Sequence, residues 1–494
     1  MNNQLHIPTL DISEVGRVQE VRQGIVMASG LPSCIYGQLV DFSHGIKGLI
    51  LGFNPDSVLI VVLGDDSNIK MGDTLVSRSE LLTIPVGEGY LGRVVDCAGK
   101  PLDDKGEIAL AEHYPVFREA MGVIGRDPVV DPLETGVKII DLAIPVGKGQ
   151  RELIIGDRQT GKTSIGIDAI INQKGKNVVC IYVCIGGSYT SLKRAVSLLA
   201  QKDALDYTIV VAATAATSSA EQYLCPYSAS AIGEYFMFHG RDVLVVFDDL
   251  IKHAWAYRQM SLLLERPPGR EAYPGDIFYI HSQLMERAGK LKPENGGGTM
   301  TFLPIVSTLQ GDITGYVQSN LVSMTDGQVY LNASLFHEGF KPAIDMGLSV
   351  SRIGSKVQCP AIKKVSGGLR LEYAQYRELL RLTRLRTKLS EEAMRQMKRG
   401  EILRELLTQD NCNPVSTLEE IVMFYALKSG ALEKRDAREV KMFKDGFFTY
   451  LRETDPELAG LLDSQRDLSA EIKAALDGEI EEFFSVRNNA VSDG

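Results

Sequence analysis

The rhythm of apolar and polar positions changes twice along the chain. Over roughly the first 80 residues, short apolar segments ("GRVQEV", "GIVMASG", "YGQLVDFS", "KGLILGF", "SVLIVVLG", "MGDTLVSR") are punctuated by Gly, Asp, Asn and Ser. Short strands at that spacing predict a small antiparallel β-barrel. From "LLTIPVGEGYLGRVV" onward, strand candidates alternate with helical stretches: "RELIIG", "NVVCIYVCIG", "YTIVVAA" and "DVLVVFDD". Near-continuous apolar strands of this kind are buried on both faces, which predicts a mostly parallel sheet in an α/β domain. After about residue 365 strand signals cease, and Leu379, Leu382, Leu385 and Leu389 recur at helical spacing. The expected organisation is a barrel over 1–80, an α/β domain over 81–364 and a helical bundle over 365–494.

Composition narrows the class. With 494 residues, 44% of them hydrophobic, the chain can bury several cores. A formal net charge of −10 argues against a general nucleic-acid coat, which needs a basic surplus or stripe. The seven cysteines (34, 97, 180, 184, 225, 359, 412) sit mostly in apolar runs and are expected to be reduced. Cys180 and Cys184 fall on one face of a strand, with no second ligand pair nearby to complete a zinc site. The start "MNNQLHIPTLDISE" has neither signal-peptide nor transit-peptide character, and no 18-residue apolar run appears, so a cytoplasm-like compartment is expected. Residues 377–399 hold eight Lys or Arg against three Glu, while "EIKAALDGEIEEFF" is acidic; both patterns suit solvated helix faces.

The chemistry is concentrated at "GDRQTGKT", residues Gly156, Asp157, Arg158, Gln159, Thr160, Gly161, Lys162 and Thr163. They match G-x-x-x-x-G-K-[ST] with a strand before and a helix after. Loop and helix-terminal N–H groups in this arrangement cradle phosphates, Lys162 adds charge on the outer phosphates, and Thr163 can ligate Mg²⁺. The strand "VLVVFDDL" ends in two carboxylates, the form of a Walker-B strand. Asp248 is expected on Mg²⁺ and Asp249 as a helix cap. The loop where a water-polarising group is usually found is "IGGSYTS": Gly187 offers no carboxylate or amide, and the Ser188 hydroxyl is too weak a base. The site is expected to bind ATP or ADP and to cleave poorly.

With these residues in hand the chain resembles the alpha subunits of F-type rotary ATP synthases over nearly its whole length. Long strings bear the likeness: "RELIIGDRQTGKTSIGIDAIINQK", "AYRQMSLLLERPPGREAYPGDIFYIHSQLMERA" and "PAIDMGLSVSRIGS". The resemblance implies a β-barrel crown, a P-loop (RecA-like) nucleotide-binding domain and a helical bundle. It implies an alternating hexamer with beta-type chains around a gamma-type shaft, docking to a delta-type stator, and a peripheral position on the cytoplasmic face of a bacterial cell membrane. It also implies an ATP- or ADP-binding chain that lends Arg352 and Ser349, with Ser323 close by, to the catalytic site of its neighbour. Around the adenine it places Lys341, Pro342, Gln409 and Asn411, where the family usually has Arg, Pro and two Gln. Gly187 replaces the family's usual Gln or Glu. The extension before the barrel is short, and "LRLTRLRTKL" is more basic than usual, as in a divergent or alternate synthase.

Two other readings have distinct requirements. A self-sufficient hexameric export ATPase needs a carboxylate at position 187. A degenerate paralogue, kept only as a binding module, would have no use for an intact Lys162, Thr163, Asp248 and Arg352.

Overall fold

A computed structural model describes residues 13–64, 66–110, 112–384 and 390–492. The short N-terminal extension, and Leu385 and Leu389 of the basic helical run, lie outside the described residues.

The first six strands are β1 (Val15–Arg22), β2 (Ile25–Ser29), β3 (Gln38–Phe42), β4 (Lys47–Phe53), β5 (Val58–Leu63) and β6 (Thr74–Leu81). They close into an antiparallel barrel in the order β1-β2-β5-β4-β3-β6. Val18, Val26, Val40, Phe42, Ile50, Ile60 and Leu75 fill its interior. That interior is full at β4, where a Cβ added to Gly48 would lie 2.5 Å from Ile60 and 2.7 Å from Phe42. The alternate residues of β4 and β5, Leu49, Leu51, Leu59 and Val61, face outward onto the next domain's core. Hence both faces of these two strands are apolar. Arg266 crosses the junction and donates to the Leu51 carbonyl at 2.6 Å.

The central sheet runs, in spatial order, Val350–Ser351, Gly327–Leu331, Leu153–Asp157, Thr299–Thr308, Asp242–Asp248, Val178–Gly187, Thr208–Thr214 and Val94–Val95. Every neighbouring pair is parallel except the first, which is antiparallel. The strand Val178–Gly187 shows why the sequence lacks polar alternation. Cys180, Tyr182 and Cys184 pack into the core on one side of the sheet, and Val179, Ile181, Val183 and Ile185 into the core on the other. All seven cysteines are free thiols. Thr299–Thr308, absent from the expected strands, inserts between the cradle strand and the Walker-B strand.

Beyond Pro360–Ser366 the described chain is helical: Leu369–Arg384, Glu391–Leu407, Thr417–Ser429, Ala437–Thr454, Pro456–Gln465 and Ala470–Ser492. Phe443 stacks on Phe447 and on Phe484, and Phe447 and Phe483 meet edge to face, at the centre of this bundle. Among the described residues no helix is long and apolar enough to cross a membrane.

Candidate nucleotide site

The strand Leu153–Asp157 ends under a loop that turns directly into the helix Lys162–Ile171. Gly161 makes that turn at φ +101°, a left-handed conformation that glycine adopts without a Cβ penalty. Gly156 is required by close approach, since an added Cβ would lie 2.6 Å from the Leu331 carbonyl oxygen. Thr160 Oγ1 donates to the Asp157 carbonyl at 2.8 Å and Lys162 Nζ donates to the same oxygen at 2.5 Å. The ammonium is thereby folded against the loop it serves. Burial lowers the Lys162 pKa, against the opposing pull of Asp249, Asp248 and Asp157.

The Asp157 side chain points elsewhere. Its Oδ1 accepts from Thr308 Oγ1 at 2.6 Å and from Gly311 N–H at 2.8 Å, pinning the next strand's exit to the cradle strand. Arg158 and Gln159 are exposed at the cleft mouth.

The two carboxylates after Asp242–Asp248 divide. Asp248 Oδ2 faces the cleft, accepting from Thr163 Oγ1 at 2.8 Å and from Tyr182 OH at 2.9 Å. Asp249 caps the helix Leu250–Leu263, accepting from Ile251 N–H at 2.7 Å and, on its other oxygen, from Ser307 Oγ at 2.5 Å. Burial raises the Asp249 pKa. A hydroxyl and a carboxylate oxygen converging beside a phosphate cradle are a hard oxygen donor set of the kind Mg²⁺ takes. The cleft, of about 830 Å³, is also lined by Lys252, Trp255 and Ser307.

On the water side, Gly187 is buried, and a Cβ built on it would lie 2.6 Å from Cys184 Sγ. Ser188 caps the helix Tyr189–Gln201, its Oγ accepting from Ser191 N–H at 3.1 Å, so its hydroxyl is committed locally. The carboxylates lining the cleft are Asp248, Asp249 and Glu271, and Glu271 accepts from Tyr316 N–H at 3.1 Å.

A small cavity of about 30 Å³ opens beside the loop, lined by Thr160, Gly161, Asp168, Phe336, Lys341, Pro342, Gln409 and Asn411 among others. The structure therefore gathers all four expected base-side residues next to the cradle. Their side chains differ in freedom. Gln409 is buried and fully engaged, accepting from Lys138 N–H at 3.1 Å and donating to the Gly136 and Asn413 carbonyls at 2.7 and 2.9 Å. Lys341 holds its ammonium 4.9 Å from the centre of the Phe336 ring. Asn411 is exposed and borders both the cleft and the cavity. Sequence reasoning missed Phe336, Tyr182 and Asp168, although Tyr182 and Asp168 lie within strings quoted above.

Arg352 and Ser349 lie at the sheet's edge. Arg352 follows the edge strand Val350–Ser351, is exposed, and is fixed by its backbone N–H donating to the Asp326 carbonyl at 2.8 Å. Asp326 is itself clamped by Arg151 through two 3.0 Å contacts. Ser349 is fully buried instead: its hydroxyl donates to the Asp345 carbonyl at 2.6 Å and accepts from Tyr330 N–H at 2.9 Å. Ser323 is exposed on the helix Tyr316–Met324, with its hydroxyl turned back to the Ser319 carbonyl at 2.9 Å.

Comparison with known proteins agrees with this layout. The beta-barrel domain of the ATP synthase alpha/beta family matches residues 11–78, its nucleotide-binding domain 136–351 and its C-terminal domain 358–483. The ATP synthase subunit alpha of Petrotoga mobilis is 48% identical over 480 residues, which is 96% of this chain and 95% of that protein. That of Clostridium acetobutylicum is 46% identical over 477 residues, 97% and 94% of the two chains. A likeness of this extent, running through all three domains and the phosphate loop, places the chain in the ATP synthase alpha/beta family, among its alpha subunits.

Proposed function

We propose that this chain holds Mg-ATP or Mg-ADP without hydrolysing it, and acts on catalysis through the neighbouring beta-type chain of an alternating hexamer. The observation behind this reading is a contrast between the cleft and the loop that follows the neighbouring strand. The cradle, Lys162, Thr163 and Asp248 are complete, while the position from which water would be polarised is a glycine packed against Cys184 Sγ. Thr163 and Asp248 would hold Mg²⁺, whose charge neutralises the outer phosphates when bound. Lys162, now folded onto the Asp157 carbonyl, would add its charge to those phosphates.

Arg352 is the residue proposed to act in trans, since it is exposed at the sheet edge on a clamped backbone and is not among the residues lining this chain's own cleft. Ser349, engaged inside the chain, supports that backbone rather than reaching a neighbour. In the complete machine the chain would surround a gamma-type shaft, meet a delta-type stator and sit peripherally on the cytoplasmic face of a bacterial membrane, with a proton or sodium gradient driving synthesis. Residues 1–80, 81–364 and 365–494 are proposed as its working units.

The test is Mg-ATP binding by the full chain, followed by thermal unfolding. Ligand at 100 times its Kd should add about 2.7 kcal/mol, and Lys162→Ala should abolish the gain. The chain alone should show no turnover above background; robust ATPase activity from a homo-oligomer would reject the reading.

A further inference from the structure

Asp168 lies one and a half turns into the helix Lys162–Ile171, with only 5% of its surface exposed. The backbone N–H of Cys412, in the loop carrying Gln409 and Asn411, opposes that burial by stabilising the charged carboxylate. Its Oδ1 has no hydrogen-bond partner, although it is buried. Asp168 lines the small cavity that communicates with the phosphate cleft through Gly161, Ser164, Phe336 and Asn411, which border both. An unpaired buried carboxylate oxygen is costly, so a cavity that leaves one free is poised for a donor.

We propose that Asp168 is a base-reading residue, whose free oxygen accepts a hydrogen bond from the exocyclic amino group of an adenine seated in the mouth of this cavity. The inference rests on the nucleotide-binding reading above and adds to it the chemical feature of the base that is read. Dimensions favour it. Six residues of helix separate Lys162 from Asp168, a rise of about 9 Å, comparable to the distance from a phosphate across a ribose to the far edge of a purine. The cavity of about 30 Å³ is too small for the base itself but fits an amino group or one bridging water.

The other lining groups are less selective. Gln409 has spent its amide on Lys138, Gly136 and Asn413, and Thr160 donates to the Asp157 carbonyl. The Lys341 ammonium can only donate and lies against the Phe336 ring. Asn411 offers both a donor and an acceptor, so it suits a 6-amino and a 6-oxo purine alike. Asp168 in its ionised form only accepts, and it therefore favours the 6-amino group. Burial pushes its pKa up to about 7, with the Cys412 N–H and Lys202 opposing that rise.

The experiment compares Mg-ATP with Mg-ITP, which replaces the 6-amino group by an oxo group, in equilibrium binding to the full chain at pH 8. The parent should prefer Mg-ATP by about tenfold or more, because a 6-oxo group would set two acceptors against each other. Asp168→Asn keeps the size of the side chain but can present an N–H₂ donor, and should erase or reverse that preference while Mg-ATP still binds. Asp168→Ser, which removes the carboxylate without adding bulk, should bring the two affinities within about threefold. Equal affinities in the parent would overturn the proposal whether or not either variant folds. An undiminished preference in a folded variant would overturn it too, leaving Asp168 with no part in reading the base. Failure of both nucleotides to bind the parent would reject the nucleotide reading itself, a result distinct from binding without discrimination.

Discussion

Gly187→Ala isolates the feature on which the proposed separation of binding from cleavage rests, because it adds a single carbon at the point in question. That carbon would lie 2.6 Å from Cys184 Sγ and 3.4 Å from Ser191 Oγ. The first distance is more than 1 Å inside a normal contact, while the second is tolerable. Overpacking of this kind costs about 1–3 kcal/mol, and the lost freedom of the unfolded glycine returns about 0.4–1 kcal/mol. The net expectation is a destabilisation of about 1–2 kcal/mol. Cys184→Ala alone should cost about 1 kcal/mol, as for removal of one buried heavy atom. In the double variant the clash is gone, so the second substitution should be neutral or stabilising. The coupling energy between the two positions should therefore be about 1–3 kcal/mol.

Urea unfolding followed by the fluorescence of Trp255, the only tryptophan of the chain, reads this. Additivity of the two single changes within about 0.5 kcal/mol would refute the steric argument. A corollary concerns function: Gly187→Glu should give no ATPase activity in the lone chain while Cys184 keeps its sulfur there, because the carboxylate's first carbon has no room.

Arg352→Ala in a reconstituted complex should leave assembly and binding to this chain near normal but lower steady-state turnover by about 10³-fold or more, with Arg352→Lys rescuing poorly; normal turnover would make the arginine structural. Arg287→Ala should cost about 3–5 kcal/mol in urea unfolding, since it strands Glu234, with which Arg287 makes two 2.8 Å hydrogen bonds at 3% exposure or less. The buried His281, with its pKa pushed down to about 4 by burial, disfavours its charged form in the folded chain. Its contribution is fully present above pH 6.5 and fades as pH falls toward 4, a loss of about 3 kcal/mol that His281→Phe should remove from the acid limb of a stability–pH curve.

Much of this was legible because it is local. The barrel strands, the apolar sheet strands and the phosphate loop each announce themselves within a dozen residues, and the division between Asp248 and Asp249 follows from which one precedes a helix. Thr299–Thr308 escaped because Pro304 interrupts it, and proline in a central strand normally counts against that assignment. Here it lies opposite Phe247 with neighbours on both sides. Tyr182 is 66 positions from the carboxylate it touches, and Asp168 is 244 from Cys412, whose backbone N–H stabilises its charged form. Nothing in either one's flanking residues reports that distance in space.

A motif position and a site contact are different things, and three residues of this chain show where they separate. Asp157 belongs to the phosphate loop, Gln409 to the proposed base side and Ser349 to the segment proposed to face a neighbour, yet each spends polar atoms inside the chain: on Thr308 and Gly311, on Gly136 and Asn413, on Asp345 and Tyr330. Each of these bonds fixes the element that carries a freer group: the loop bearing Lys162, the segment bearing Asn411, the edge bearing Arg352. Polar atoms so paired cannot also take a ligand without leaving their partners unsatisfied, at about 1–3 kcal/mol each where these are buried. On the proposed reading the chemistry is therefore left to the side chains whose atoms are unspent or directed into the cleft, Thr163, Asp248, Asn411, Arg352 and Asp168. Alanine at Asp157, Gln409 or Ser349 should consequently weaken stability and ligand affinity together, whereas alanine at Arg352 should touch neither.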